Sequence, residues 1–379
     1  MNIRKWNVQS SLLVRCAMSL MLLSLCPNLL PFGIENFCCL AGTWAQCLEN
    51  ILAMDHQPIR VLLRNNKSPG NSPGDILMLT AAVRDLHRSN RRRFLTAVET
   101  SCEELWQHNP YIVPVSELGA PDCTIDCAYP LIHQSHRPFH FIHGFAQFLA
   151  WRLRVQIEVS DFRGDIHLSQ EELDALSPLQ RLGRNKPLWI IVAGGKYDLT
   201  AKWWSPSSYQ AIVDHFRERI QFVQCGDSTH WHPPLEGVIS LVGKTSIREF
   251  VNLMYHADGV VCPVTFAMHL AAAVPLRPGQ LSRGCVVVAG GREPAHWEMY
   301  SGHQFLHTQG ALSCCASGGC WKSRCQPMND GDGMDEDLCT MPVAAGPNLL
   351  IPKCMDLITP QRVIDAVQLY YDGGALKWA

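Results

Sequence analysis

LWIIVAGGKYDLTAKWW, residues 188–204, is the stretch on which the reading of this chain turns. An apolar run breaks on Gly194 and Gly195 and hands Lys196, Asp198 and Lys202 to a loop. An amphipathic segment follows (SYQAIVDHFRERI, 208–220), then an apolar run (QFVQCGD, 221–227), a further helical pattern, and GVVCPVTFAMHLAAAV at 259–274. Apolar runs alternating with amphipathic helices spell a parallel sheet with crossover helices. Ligands of such sheets bind outside the carboxyl ends of the strands, where Gly194-Gly195 and residues 263–265 are expected. Two lysines just past a strand end suit a phosphate-bearing ligand, although a lysine taken alone is more often a solvated surface charge.

The chain has 379 residues, beyond the usual size of one domain, and its 47% hydrophobic content can fill two cores. A formal charge of −2 gives no global attraction to nucleic acid, so any polyanion site must be local. Six of the 17 cysteines fall between Cys314 and Cys354, in a stretch rich in Gly, Asp and Pro. The others are scattered through apolar segments, where a free cysteine packs as a small core residue. That distribution points to a reducing compartment with one metal-like cluster rather than a disulfide framework.

Residues 1–55 differ from the rest. Arg4 and Lys5 precede an apolar run in the order of a signal peptide, but Arg15 interrupts it and no small-x-small cleavage site follows. A helix lying in a membrane plane or packed on protein is expected there, with a misassigned start as the alternative. From residue 56 to 175 the pattern is orderly: a strand (IRVLLR), a Gly- and Pro-rich loop, and an amphipathic helix (ILMLTAAVRDLHRS). Gly74 and Asp75 stand at that helix start, where Asp75 suits a capping role. RRFLTAVET, YIVPVSEL and TIDCAYPLI read as short strands, and residues 136–159 as a helix. His133, His136, His140 and His143 cluster without acidic or cysteine partners, which favours packing or substrate contact over metal. Residues 166–187 are the expected hinge. A second domain is expected over 176–358, with a cysteine-rich loop at 310–355, and a closing helix over 359–379 with Thr359 as N-cap and Pro360 at N1.

SPGDILMLTAAVRDLH (72–87), GGKYDLTAKWW, QFVQCGD, LVGKTSIREFVNLMYHADGVVCPVT (241–265) and MHLAAAV resemble, in order, the motifs of glycosyltransferase family 9, the ADP-heptose heptosyltransferases. The resemblance covers about residues 58–370 and is nearest to the subgroup with a cysteine cluster after the second domain, to which autotransporter heptosyltransferases belong. It implies an α/β GT-B fold, two Rossmann-like domains facing a cleft, and inverting transfer of a heptose or similar sugar from an ADP-sugar donor without a catalytic metal. Carried onto this chain, Asp75 is the general base. Gly74, Gly194, Gly195, Lys196, Asp198, Lys202, Gln224, Thr265 and His269 are donor-binding residues, the lysines and the helix start beside Thr265 taking the diphosphate. Common members carry an acidic residue and Gly where this chain has Val264 and Phe266.

The cluster Cys314, Cys315, Cys320, Cys325, Cys339 and Cys354 offers more thiols than one tetrahedral ion needs. Its spacing is not that of a zinc ribbon and leaves a loop of reduced cysteines equally open. The resemblance favours a structural iron or zinc ion on Cys315, Cys320, Cys339 and Cys354, with Cys314 or Cys325 as substitutes, stapling a loop that lacks a core. The acidic run at Asp330, Asp332 and Asp335 lacks the closing glutamate of a calcium loop and reads as a solvated turn. Expected partners are a nucleotide sugar and a glycan or protein acceptor. Self-association and peripheral contact with the inner membrane from the cytoplasm are compatible, and nucleic acid is not expected. The competing reading is a metal-stapled binding protein of the same fold that has lost catalysis.

Overall fold

The second half of the chain builds a six-stranded sheet, all of it parallel, in the computed structural model of the protein. The structure describes residues 57–65, 72–130, 139–181 and 186–373. The sheet contains β4 (Leu188–Ile191), β5 (Gln221–Gln224), β6 (Ile239–Ser240), β7 (Gly259–Pro263), β8 (Gly284–Gly290) and β9 (Gln304–His307). Their spatial order is β6-β5-β4-β7-β8-β9, so the chain winds outward from β4 in one direction and then, from β7, in the other. That reversal places a switch point between β4 and β7, where the loops after the two strands diverge and leave a crevice. Strands β4, β7 and β8 are buried throughout, as continuous apolar runs covered on both faces should be.

The first half contributes a smaller parallel sheet of β1 (Ile59–Arg64), β2 (Phe94–Glu99) and β3 (Cys123–Asp126), ordered β2-β1-β3. Helix α1 (Pro73–Ser89) packs against α2 (Ile142–Leu153). Ser72 caps α1 and Pro73 begins it, a first turn whose missing N–H costs nothing. Arg154 ends α2 in the left-handed region, φ 53°. On the larger sheet, α3 (Pro206–Phe216) and α6 (Pro360–Tyr371) share one hydrophobic cluster with β4, β5 and β8. Helices α4 (Ile247–His256) and α5 (Phe266–Ala273) belong to the other cluster, which also takes in α1 and α2. Helix α5 is apolar almost all round because it lies between its own sheet and α1.

This is the α/β, GT-B-like architecture of paired parallel sheets that the sequence predicts. YIVPVSEL departs from its strand pattern: Val115–Leu118 is a helical turn behind Pro114, and a single bridge from Ile112 to Thr96 is all that pairs there. The helix predicted to continue to residue 159 stops at Leu153. Within the cysteine-rich stretch, Pro342–Gly346 and Leu349–Pro352 form an antiparallel hairpin that the irregular composition conceals. The extension at 1–55, the loop at 66–71, and His133 and His136 lie outside the described residues. No helix among the described residues is long and apolar enough to cross a membrane.

Candidate functional site

At the end of β4 the backbone turns on two glycines that only glycine can supply. Gly194 holds φ 89°, and a Cβ there would lie 2.1 Å from the Trp231 carbonyl oxygen. Gly195 exchanges two hydrogen bonds with Trp231, its N–H donating at 2.9 Å and its carbonyl accepting at 3.1 Å. The Trp231 ring stacks on Trp203 with centroids 4.2 Å apart. So fixed, the chain enters a 3-10 segment, Tyr197–Lys202, with Lys196 at its start and Lys202 at its end.

A cavity of about 310 Å³ opens beside this turn. Its walls are Gly194, Gly195 and Lys196 after β4, Cys225, Gly226 and Asp227 after β5, the start of α4 at Ser246, and Val264 to Ala267 after β7. The start of α1, Ser72 to Gly74, closes it from the first sheet's side. Three helix N-termini, those of α1, α4 and α5, therefore meet the same space as two lysines, which is a setting for an anion. The Thr265 hydroxyl at the cap of α5 is buried with no partner among the described residues. At the far end Asp227 accepts from the N–H and hydroxyl of Thr229, at 2.8 and 2.7 Å, which lowers its pKa.

Residues 145–278 match the family model "Glycosyltransferase family 9 (heptosyltransferase)". That match spans about a third of the chain. A family 9 glycosyl transferase from Veillonella parvula DSM 2008 superimposes with a TM-score of 0.55 at 13% identity, covering 82% of this chain and 97% of its own. TibC of enterotoxigenic E. coli H10407 superimposes with a TM-score of 0.55 at 16% identity, covering 83% of this chain and 77% of its own. TibC is described as a dodecameric iron-containing heptosyltransferase and has been solved in complex with ADP-D-beta-D-heptose. At those identities the likeness establishes the fold. No curated protein matches the chain.

Among the residues singled out in the sequence, Gly74, Gly194, Gly195, Lys196, Lys202 and Thr265 come together at one cavity. Asp75 sits one residue behind the wall. Its Oδ2 accepts from the Ser72 N–H at 2.8 Å and the Ser72 hydroxyl at 2.9 Å, and Oδ1 accepts from Tyr129 at 3.2 Å. Asp198 stands on the 3-10 segment away from the wall, and the buried Gln224 amide donates to the Pro233 carbonyl at 2.7 Å. His269 also stands apart from the cavity. It is buried between the two sheets' helices, its Nδ1 2.7 Å from the Tyr300 hydroxyl and its ring 3.2 Å from where a Cβ on Gly74 would be. Burial pulls its pKa down to about 3. His140 is likewise a packing residue, pulled down to about 4 by burial, with its Nδ1 accepting from the Ile142 N–H at 3.1 Å.

The sequence reading missed the carboxylates that stand behind Lys202. Lys202 Nζ lies 2.6 Å from Glu293 Oε1 and 3.4 Å from the Val264 carbonyl. Arg292 pairs with the same Glu293 oxygen. Glu298 is buried nearby, and burial, then Glu293 and Asp75, push its pKa up to about 8 against the opposing pull of Lys202 and Arg292. The signal was present: GGREPAHWE is a second Gly-Gly strand end followed by two acidic residues.

The cysteines gather only in part. Cys314, Cys320, Cys339 and Cys354 line one small cavity together with Ala201 and Arg292. Cys315, expected in the ligand set, turns away and donates to the carbonyls of Leu312 (3.3 Å) and Thr308 (3.7 Å). A hydrogen bond from the Cys325 thiol lowers the pKa of Cys339. Among the described residues no group of three or more His, Cys, Asp or Glu side chains is arranged to hold a metal ion. The acidic run is not simply solvated: Asp330 and Asp335 clasp the buried guanidinium of Arg324, which is 1% exposed.

Proposed function

We propose that this protein is an inverting glycosyltransferase that moves a heptose, or a similar sugar, from an ADP-sugar to an acceptor hydroxyl. The observation that supports the reading is the cavity itself: two lysines and the starts of α4 and α5, all within the segment similar to family 9, line it at a strand-order reversal, with the Asp75 turn across from them. ADP is an anion with a ribose, and the cavity offers Lys196, Lys202 and the α5 start to the diphosphate. Asp227 offers a carboxylate to a ribose hydroxyl, and Ile247 and Phe250 offer apolar surface to a base.

In the transfer, the acceptor oxygen forms a bond to the sugar's anomeric carbon from the face opposite the diphosphate. The bond from that carbon to the phosphate oxygen breaks, its electron pair leaves with ADP, and the acceptor proton passes to the Asp75 carboxylate. Lys196 and Lys202 work on the charge that grows on the leaving diphosphate, where fixed cations help most. Asp75 is held for that work by Ser72 and Tyr129, each donating to it, which leaves further lone pairs for the acceptor hydroxyl.

A structural iron or zinc ion enters this reading from the resemblance and from iron-containing TibC, not from the thiol geometry. Were an ion bound, Cys314, Cys320, Cys339 and Cys354 are the thiols that share a cavity, so Cys314 replaces Cys315 in the expected set. A glycan or protein acceptor, self-association, and a cytoplasmic site of action with peripheral membrane contact complete the proposal. The deciding experiment incubates the purified protein with ADP-heptose, UDP-glucose and GDP-mannose and follows nucleotide release. Release of ADP alone is expected. A protein that binds ADP but turns over none of the donors would favour the binding-protein alternative, and one that binds no nucleotide would refute both.

A further inference from the structure

Lys202 is not a free cation waiting for a ligand. Its side chain is 16% exposed and its ammonium is tied to Glu293, whose side chain is 4% exposed. Arg292 grips the same oxygen of Glu293, while the other, Oε2, is buried with no partner among the described residues. Two cations on one half-satisfied carboxylate make a poor stabilising ion pair, because burial removes more hydration from the three groups than their contacts return. The same arrangement leaves one unit of positive charge in excess beside the cavity, which an arriving anion would balance.

Arg292 is itself held from the cysteine-rich segment. Its Nε donates to the Lys322 carbonyl at 2.6 Å and its Nη2 to the Trp321 carbonyl at 3.3 Å, while the Trp321 N–H returns a bond to the Arg292 carbonyl at 3.1 Å. The segment also braces the turn that carries Lys202. Ser323 accepts from the Ala201 N–H at 3.0 Å, and Cys325 N–H donates to the buried Thr200 hydroxyl at 2.9 Å. Residues 321–325 thus brace Lys202 twice, through the backbone just before it and through Arg292 on its Glu293 partner.

We propose that Glu293 is a positioning residue for Lys202, and that the cysteine-rich segment, acting through Arg292, is the frame that fixes it. A lysine stem has four rotatable bonds, so an ammonium left untethered spreads over many positions. Tethering it before the ligand arrives removes that ordering cost from the step in which charge builds on the leaving group. The inference rests on the donor reading above and adds a component to it: residues 321–325 become part of the diphosphate site rather than a remote appendage.

The test compares Glu293→Gln, Glu293→Asp, Arg292→Lys and Lys202→Gln in the full chain. ADP affinity is measured by calorimetry, and turnover as ADP release from ADP-heptose into water. Glu293→Gln removes a negative charge beside the site, so its ADP dissociation constant is expected to stay within about threefold of wild type or to tighten. Its kcat is expected to fall at least about tenfold. Glu293→Asp is expected to recover part of that loss, Arg292→Lys to fall in the same sense, and Lys202→Gln to lose both binding and turnover. Equal behaviour of Glu293→Gln and wild type in both measurements overturns the proposal, as does parallel loss of binding and turnover in Glu293→Gln and Glu293→Asp. If wild type neither binds ADP nor releases it, the donor reading fails. Inorganic pyrophosphate then replaces ADP as the probe: affinity retained in Glu293→Gln and lost in Lys202→Gln sustains the proposal, and any other pattern refutes it.

Discussion

Replacing Asp75 by Asn separates the job this side chain holds in the fold from the base role proposed for it. In the fold it completes the capping box of α1, accepting from Ser72, and it anchors Tyr129. Asn retains one oxygen that can still accept from the Ser72 N–H, and its amide can donate to the Tyr129 hydroxyl once that group rotates. The structural loss is therefore about one hydrogen bond, on the order of 1 kcal/mol, and a fall in Tm of about 1–3 °C. As a base the change is far larger, because an amide cannot take the acceptor's proton. Loss of general-base catalysis costs about 10²–10⁴ in rate, or roughly 3–5 kcal/mol of barrier. The assay pairs a thermal melt with ADP release and ADP titration on the same preparation. The expected result is a small drop in Tm, ADP affinity within about twofold, and turnover below about one hundredth of wild type. A variant that melts a few degrees lower yet turns over normally would show that Asp75 caps a helix and nothing more.

Gly194→Ala must relieve a Cβ at 2.1 Å from the Trp231 carbonyl and a φ of 89°, so a loss of at least ~2 kcal/mol and failure to bind ADP are expected. A wild-type melt and affinity would refute the close approach. Glu298 is protonated in the fold up to about pH 8 but ionises near 4.5 when unfolded, so the fold binds the extra proton between those values and stability drains as pH rises from about 4.5 to 8. Glu298→Gln should flatten that slope in denaturant titrations, and an unchanged slope would place the effect elsewhere. His269 acts in the opposite sense: neutral in the fold down to about pH 3 against 6.5 unfolded, it destabilises the protein as pH falls below 6.5. His269→Gln should weaken that acid-side loss. Iron or zinc content, measured by mass spectrometry, should drop in Cys314→Ser, Cys320→Ser and Cys339→Ser but not in Cys315→Ser, and equal content in all four would dismiss the proposed ion.

Much of this protein was decided locally and so could be read from the chain. The apolar run at 188–193 can only be a strand covered on both faces, and the Gly-Gly break after it can only be a turn with a left-handed residue. The capping signals at Asp75 and Thr359 mark the starts of α1 and α6, because a cap acts within four residues. The start of α1 places Gly74, and the ends of β4 and β7 place Lys196, Lys202 and Thr265, at the cavity. Tertiary packing decided what each side chain does there. His269 and Gln224 carry the same local pattern as true cavity residues, yet the direction of one helix face and one strand face turns them inward. Glu293 lies 91 residues beyond Lys202, and no periodicity links the two; their pairing exists because β8 lands two strands from β4 and the segment at 321–325 folds back over the turn between them. Short-range rules write the strands, turns and caps. The ion pairs are set by long-range closure of the sheet, which a linear pattern does not record.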